Sequence, residues 1–313
     1  MSSTVPTQSV TDPSVPARPA PQPSARLAAP GRRGPAEPQS RAAQARLALG
    51  PLWVLAVAAA ALLCCFLLLP FAVLLTTSWT GGEFLTFPPQ GFSLRWYQAL
   101  FADTMWTSSF WMSIGVASVA TLVATALGAS AALAMARLRS ARWSRPLRTL
   151  FVLPMAIPLV AYALGLYDVV LRLPALQTSL APLVLGEAVI AFPVVFVLLS
   201  GALARVDPAL RSAAQTMGAR WPTVVWRVEL PLLRGTLAAG ALFAFNSAFD
   251  EVVLSVFLIP PGQTATFPLQ MLNASREAIS PMLTAASTLV SFVALAVLGG
   301  AGLLNRRKES RPS

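Results

Sequence analysis

The segment VDPALRSAAQTMG (residues 206–218) has the sequence features of a short, separately capped helix. Asp207 is a favoured N-cap residue, Pro208 suits the first helical position, and Gly218 suits the left-handed position after a helix end. The apolar residues between these caps recur every three or four positions and so form one stripe: Leu210, Ala213, Ala214 and Met217. Such a stripe needs a cover, which the chain's own helices, the lipid interface or a groove on a partner could each provide.

Long apolar runs lie on both sides of this segment. Of the 313 residues, 56% are hydrophobic and 11% are charged, whereas soluble domains carry about 25% charged residues. Because a helix needs about 20 apolar residues to cross a bilayer, we predict an all-α integral membrane protein with six transmembrane helices. The predicted spans are residues 51–77, 106–136, 149–171, 181–204, 236–258 and 283–304.

The cationic residues predict the orientation of these spans. With the N-terminus in the cytoplasm, 20 of the 23 cationic residues fall on the cytoplasmic side, and only Arg95, Arg172 and Arg276 fall elsewhere. This asymmetry follows the positive-inside rule. We therefore expect a multi-pass protein with both termini in the cytoplasm.

The missing residue types exclude several kinds of chemistry. The chain has no histidine, and its two cysteines, Cys64 and Cys65, are adjacent in an apolar run. We expect no catalytic residue, no metal site and no cofactor bound by this chain. A net charge of +11 can indicate nucleic-acid binding, but here the basic residues flank apolar segments and form no continuous face. The expected contact is therefore membrane lipid, with no nucleic acid.

Asp168 lies near the outer end of the third predicted span, and three acidic residues lie deeper: Glu187 in the fourth span, and Asp250 and Glu251 in the fifth. An ionised side chain near the bilayer centre costs at least about 2.5–3.5 kcal/mol, so it normally faces a cavity or a partner. These acids are candidates for the path of a cationic solute, with Tyr162 and Phe249 available for cation–π contact. The alternative is structural, since Asp250 and Glu251 could cap a helix break or pair with Arg172 or Arg276.

The capped segment resembles the EAA loop of ABC importer permeases. In that family the pattern is Glu-Ala-Ala, three residues, Gly, nine residues, a branched apolar residue, any residue, and Leu-Pro. This chain matches the spacing with Ala213-Ala214, Gly218, Val228 and Leu230-Pro231, and has Ser212 at the position of the glutamate. The resemblance implies a type I ABC importer permease (MetI-like) fold, in which this segment is a cytoplasmic coupling helix.

The resemblance also implies partners and a location in the bacterial inner (plasma) membrane. The partners are two ABC ATP-binding subunits, a second permease subunit and an extracytoplasmic solute-binding protein. The chain has no G-x-x-x-x-G-K-[ST] motif, so ATP and Mg²⁺ are expected to be used by the partners, and this chain is not expected to be an enzyme. The composition of residues 1–48, rich in Pro, Arg and Ala, predicts a disordered cytoplasmic tail, followed by the first transmembrane helix with a periplasmic loop (49–105). The resemblance implies an ABC transmembrane type-1 domain (106–305), and a basic cytoplasmic tail (306–313) follows it.

A second set of segments resembles the spermidine/putrescine permeases of the PotC type. Residues 247–257 are similar to the S-x-D-[DE]-[FV]-V segment of that family, and residues 153–158 and 266–271 resemble two others. The resemblance implies transport of polyamines or related cations. Ferric iron, a phosphonate or an opine-like amino compound are alternative cargoes, because permeases for other solutes share much of this pattern.

Two other classes of protein fit the sequence less well. An intramembrane enzyme would need facing catalytic groups, but Asp250 and Glu251 are neighbours on a predicted helix and point about 100° apart. A channel without ATPase coupling would have no use for the capped loop. The sequence therefore favours a transport subunit over both.

Overall fold

The computed structural model describes residues 51–138, 141–277 and 280–309, with side chains for residues 53–138, 142–277 and 280–295. The tail predicted to be disordered, residues 1–48, lies outside this part of the chain, as do residues 310–313 of the predicted basic tail. Within it the elements are helical, apart from an isolated antiparallel bridge between Thr80 and Phe92. The predicted all-α class is confirmed. The chain divides into two units at residue 64.

The helices follow one another with short connections. They are α1 (Pro51–Ser78), α2 (Arg95–Ala102), α3 (Thr104–Met135), α4 (Ala141–Val152), α5 (Leu159–Arg172), α6 (Pro174–Gln177), α7 (Ala181–Leu203), α8 (Pro208–Thr216), α9 (Trp221–Val224), α10 (Leu230–Phe249), α11 (Val253–Leu258), α12 (Phe267–Glu277) and α13 (Pro281–Glu309). A 3-10 turn (Leu153–Ala156) follows α4, and a π-helical turn (Val225–Glu229) joins α9 to α10.

Among the described residues, four stretches are long and apolar enough to cross a membrane: Trp53–Ser78, Thr104–Met135, Ala181–Leu203 and Trp221–Phe249. They correspond to the first, second, fourth and fifth predicted spans. The helix at the sixth predicted span is α13, whose side chains are described only as far as Leu295. The count of six spans therefore stays a prediction.

The third predicted span, residues 149–171, is wrong as a straight helix. The segments Arg142–Ala156 and Leu159–Arg172 are bent by 96° at the break between them. Pro154 and Pro158 lie at this break; a proline removes an N–H donor and disfavours helical backbone in the residue before it. The arginine-rich α4 is therefore set at a steep angle to the apolar α5.

The fifth predicted span, residues 236–258, is wrong at both ends. The helical stretch begins at Trp221, and it ends at Phe249, three residues before α11. It begins early because the π-helical turn accommodates Pro231: the N–H of Leu230 donates to the carbonyl of Val225, five residues back. It ends early because the chain breaks at residues 250–252.

The core of the second unit is formed by α3, α7 and α10, which pack against one another. Small buried side chains line the contact: Ala117, Ala120, Ala124 and Ala132 of α3, Ala188 and Ala191 of α7, and Ala244 and Ala248 of α10. At Gly128 of α3, an added Cβ would lie 2.8 Å from the Cβ of Val195 in α7. In lipid, close approach of this kind supplies the packing that holds helices together.

The helix α1 leaves its apolar side chains uncovered. Every residue from Val54 to Pro70 is exposed. An apolar surface of this length is suited to contact with lipid or with the helices of another subunit.

Candidate functional site

The short helix α8 carries the predicted caps at both ends. The N–H of Ala209 donates to Oδ1 of Asp207 at 2.8 Å, and Pro208 is the first helical residue. Gly218 has a φ of +80°, and its N–H donates to the carbonyl of Gln215 at 2.9 Å. The N–H of Ala219 donates to the carbonyl of Ala214 at 3.1 Å, which completes a Schellman motif. The local sequence therefore fixes where α8 starts and stops.

The apolar stripe of α8 is mostly left open by the chain itself. Ala214 is buried, but Ala213 is exposed, Leu210 is 48% exposed and Met217 is 82% exposed. Of the three covers considered, the chain's own helices therefore provide only a small part. Exposed apolar surface on a folded element is typical of a contact with lipid or with another protein.

The Leu-Pro pair that follows this loop lies at the first turn of α10. Leu230 is half-buried and Pro231 is exposed. The pair directly follows the π-helical turn, so its position is tied to that turn and not to α8 itself.

A group of charged residues links α8 to the ends of the long helices, and none of them was among the predicted site residues. Nε of Arg211, in α8, donates to Oε1 of Glu229 at 2.7 Å. Nη2 of Arg137, just beyond α3, lies 3.5 Å from Oε2 of the same carboxylate. The guanidinium of Arg137 also lies 4.4 Å from the centre of the Trp221 ring, in α9. We call these four residues the Glu229 cluster.

The Glu229 cluster is largely shielded from water. Glu229 is 1% exposed, and both arginines are half-buried. Desolvation lowers the pKa of Arg137 below its usual value, and the charge of Glu229 opposes this shift. One sequence signal could have revealed the cluster: Glu229 is the sole acidic residue between Asp207 and Asp250, and apolar Val228 and Leu230 flank it.

A cavity of about 380 Å³ lies beside the Glu229 cluster and not beside the predicted solute-path acids. Its walls come from the ends of α3 and α7, from α4 and from the start of α8. Arg145 and Arg148 of α4 face it together with Arg211. The first turn of α8 is therefore not closely packed on this side.

The first of the predicted solute-path acids, Glu187, is buried in α7. It is 2% exposed, and its Oε2 atom has no hydrogen-bond partner among the described residues. The helices α5, α7 and α11 meet beside it: a Cβ on the neighbouring Gly186 would lie 3.0 Å from Leu166 and 3.3 Å from Leu254. Within the described part of the chain, no cationic group comes within ion-pair distance of Glu187.

Tyr162 reaches this junction from α5. Its hydroxyl donates a long hydrogen bond, 3.5 Å, to the carbonyl of Gly186, next to Glu187. Phe249 lies in a different group of aromatic rings, 6.2 Å from Phe110 and 5.8 Å from Phe245 between ring centres. The structure thus brings Tyr162 to the residue before Glu187 and places Phe249 against the rings of Phe110 and Phe245.

Asp250 and Glu251 occupy the break between α10 and α11. Oε1 of Glu251 accepts hydrogen bonds from the N–H groups of Val253 and Leu254, the latter at 3.0 Å. Glu251 therefore caps α11, which is one of the structural arrangements considered from the sequence. Asp250 is exposed, and Arg172 pairs instead with Asp168 at 2.9 Å. The contact of either acid with a solute stays a prediction.

Comparison with known proteins gives a family and several relatives. Residues 124–310 match the family described as "Binding-protein-dependent transport system inner membrane component". The chain is 27% identical over 231 residues to the Putrescine transport system permease protein PotI of Escherichia coli K12, which covers 72% of this chain and 81% of the relative. It is 26% identical over 243 residues to the Spermidine/putrescine transport system permease protein PotC of the same strain, covering 78% and 90%.

Another relative differs in the cargo that its name gives. The Molybdenum transport system permease protein ModB of Mycobacterium bovis is 29% identical over 236 residues, which covers 70% of this chain and 89% of ModB. Low identities to permeases with different cargoes fix the type of protein more firmly than its solute.

A solved structure shows the same fold. A chain of the bacterial alginate ABC transporter, crystallised in complex with an alginate pentasaccharide-bound periplasmic protein, superposes with a TM-score of 0.68. The two chains are 16% identical, and the match covers 86% of this chain and 99% of the other. The resemblance to ABC importer permeases that the EAA-like loop indicated is confirmed.

Proposed function

Because the chain belongs to the family of binding-protein-dependent transport system inner membrane components, we propose that it forms half of the translocation path of an ATP-driven importer of polyamines such as putrescine and spermidine. The names of PotI and PotC support this class of cargo. The proposal assigns Glu187, Asp250 and Glu251, with Tyr162 and Phe249, to the path of the solute.

The choice of a cationic cargo rests on the surroundings of Glu187. Its carboxyl group is buried in an apolar helix, and within the described residues no cation compensates it. An ionised carboxylate in a span costs at least about 2.5–3.5 kcal/mol unless a partner or a cavity relieves it. A passing ammonium group supplies such a partner, and the ring of Tyr162 nearby adds a cation–π surface.

The alternative cargoes fit this junction less well. A phosphonate or another anion would find acidic and not basic side chains at this junction, since no cationic group lies within ion-pair distance of Glu187 in the described part of the chain. Ferric iron would favour several carboxylate ligands held together. No group of three or more Asp, Glu, Cys or His residues suited to a metal occurs in the described part of the chain. An opine-like amino compound carries positive and negative charges. The uptake experiment below distinguishes it from polyamines as the cargo.

The proposal includes the partners and the location. The exposed Leu210 and Met217 of α8 would dock on an ATP-binding subunit, and two such subunits would use ATP and Mg²⁺, with no cofactor held by this chain. A second permease subunit would complete the path, and an extracytoplasmic solute-binding protein would deliver the cargo. The protein would lie in the bacterial inner membrane with both termini in the cytoplasm, as the positive-inside rule predicts.

The test is uptake of labelled putrescine and spermidine by proteoliposomes that contain the full set of subunits. We expect ATP-dependent, saturable uptake that excess unlabelled polyamine abolishes and excess opine, phosphonate or molybdate does not. Glu187→Gln and Asp250→Asn should each reduce uptake at least tenfold, whereas Asp168→Asn, a matched change in an exposed, ion-paired residue of α5, should leave it unchanged. Absence of polyamine uptake by the wild-type complex would overturn the assignment of the cargo.

A further inference from the structure

The Glu229 cluster joins three parts of the chain that are distant in sequence. Arg211 belongs to α8, Arg137 follows the last turn of α3, and Glu229 ends the π-helical turn below α10. One buried carboxylate is shared by the two guanidinium groups, at 2.7 Å and 3.5 Å. Charge-assisted hydrogen bonds are about twice as strong as neutral ones. The shared carboxylate therefore holds α8 firmly against the ends of α3 and α10.

The remaining attachment of α8 to the chain is slight. Within α8, Ala214 is the one buried residue. The cavity of about 380 Å³ borders the first turn of α8. A displacement of α8 is therefore passed on chiefly through its covalent connections and through Arg211. Of these, the side-chain link reaches Glu229 directly, whereas the covalent connections run through the residues between α7 and α8 and through the turn at Gly218.

Arg137 makes two contacts with the same stretch of chain. It faces Trp221 at the start of α9 and Glu229 at the end of the π-helical turn. These contacts fasten both ends of the segment 221–229 to the foot of α3. The helices α3 and α10 also pack together in the core, so a movement of this foot reaches both of them.

We infer that Glu229 is a positioning residue that makes α8, the segment 221–229 and the foot of α3 move as one body. The inference rests on the proposed function, because it assigns to α8 the docking of an ATP-binding subunit. In this arrangement the carboxylate does not touch the cargo. It converts a push or pull on α8 into a shift of α3 and α10, the helices that pack around α7 and its Glu187.

The first test measures transported cargo per ATP hydrolysed in the reconstituted full complex. Glu229→Gln keeps the size of the side chain and removes its charge, and we expect at least a tenfold lower ratio with ATP hydrolysis retained. Arg211→Gln should lower the ratio as well, and the double variant should be no worse than Glu229→Gln alone, because Glu229→Gln already removes the ion pair that Arg211→Gln breaks. Arg205→Gln is the matched control. Arg205 lies between α7 and α8, is exposed and has no ion pair among the described residues. An unchanged ratio in Glu229→Gln would overturn the inference.

The second test does not depend on the cargo. Spin labels at Gln215 of α8 and Leu232 of α10, both exposed, are placed in a full complex in which Cys64 and Cys65 are replaced by alanine. With Glu229 present, we expect one narrow distance distribution that is the same with and without ATP. In Glu229→Gln the distribution should broaden or shift with ATP. Equal distributions in both proteins would overturn the inference, even if polyamines prove not to be the cargo.

Discussion

Two glutamates of this protein are buried to almost the same degree and have opposite surroundings. Glu229 is 1% exposed and faces two arginines, whereas Glu187 is 2% exposed and faces no cation within the described residues. Both side chains are carried by residues that precede or lie within long apolar helices. The difference between them lies in charge compensation and not in burial.

This difference separates two tasks in one chain. A carboxylate that is already paired with cations is stabilised in the resting state, so it is suited to holding helices together. A carboxylate that lacks a partner raises the energy of the resting state and lowers it when a cation arrives. We therefore propose that the paired acid transmits movement and that the unpaired acid recognises the cargo.

The largest expected effect on stability comes from Glu229→Leu. The substitution leaves Arg137 and Arg211 close together without a counter-charge. Removing one partner of a buried pair costs about 3–5 kcal/mol, and the partial exposure of the two arginines points to the lower end, about 3 kcal/mol. We expect a clearly lower melting temperature of the purified complex, measured by the fluorescence of its tryptophans.

The double variant Glu229→Leu/Arg211→Met is the control for this change. It removes one of the uncompensated cations and replaces the pair by apolar groups of similar size, so it should recover part of the lost stability. If the double variant were as unstable as Glu229→Leu, the loss would come from packing and not from charge.

The next effect is expected to have the opposite sign. Glu187→Leu removes a buried polar group whose Oε2 atom has no partner in the described structure, and an unsatisfied buried group costs about 1–3 kcal/mol. We therefore expect a higher melting temperature together with the loss of polyamine uptake. A lower melting temperature would show that Glu187 holds the resting structure together, and the contrast with Glu229 would disappear.

The sequence predicted the local features that depend on neighbouring residues. Asp207, Pro208 and Gly218 define α8 through rules that act over a few residues, and the structure contains these caps. The apolar runs likewise located the first, second and fourth spans to within a few residues. Each of these features depends on composition or spacing within one segment.

The features that the sequence did not predict depend on contacts between distant segments. Arg137 and Glu229 are 92 residues apart, and no periodicity connects them. Predicting the bend before α5 requires the angle between two helices, and the positions of the prolines alone do not give that angle. The sequence offered capping by Glu251 only as an alternative, because the apolar residues around it did not show that the chain breaks after α10.

The smallest expected effect separates the cap of α8 from the Glu229 cluster. Asp207→Ala removes the side-chain bond to the N–H of Ala209, and loss of such a cap costs about 1 kcal/mol. We expect faster hydrogen–deuterium exchange at the first turn of α8, measured by mass spectrometry on the assembled complex, and uptake reduced less than in Glu229→Gln. Asp207→Asn keeps an acceptor at the same place and should behave as wild type. Because Arg211 still holds α8 in the Asp207→Ala protein, a loss of uptake as large as that of Glu229→Gln would mean that the fold of α8, and not its attachment to Glu229, limits the coupling.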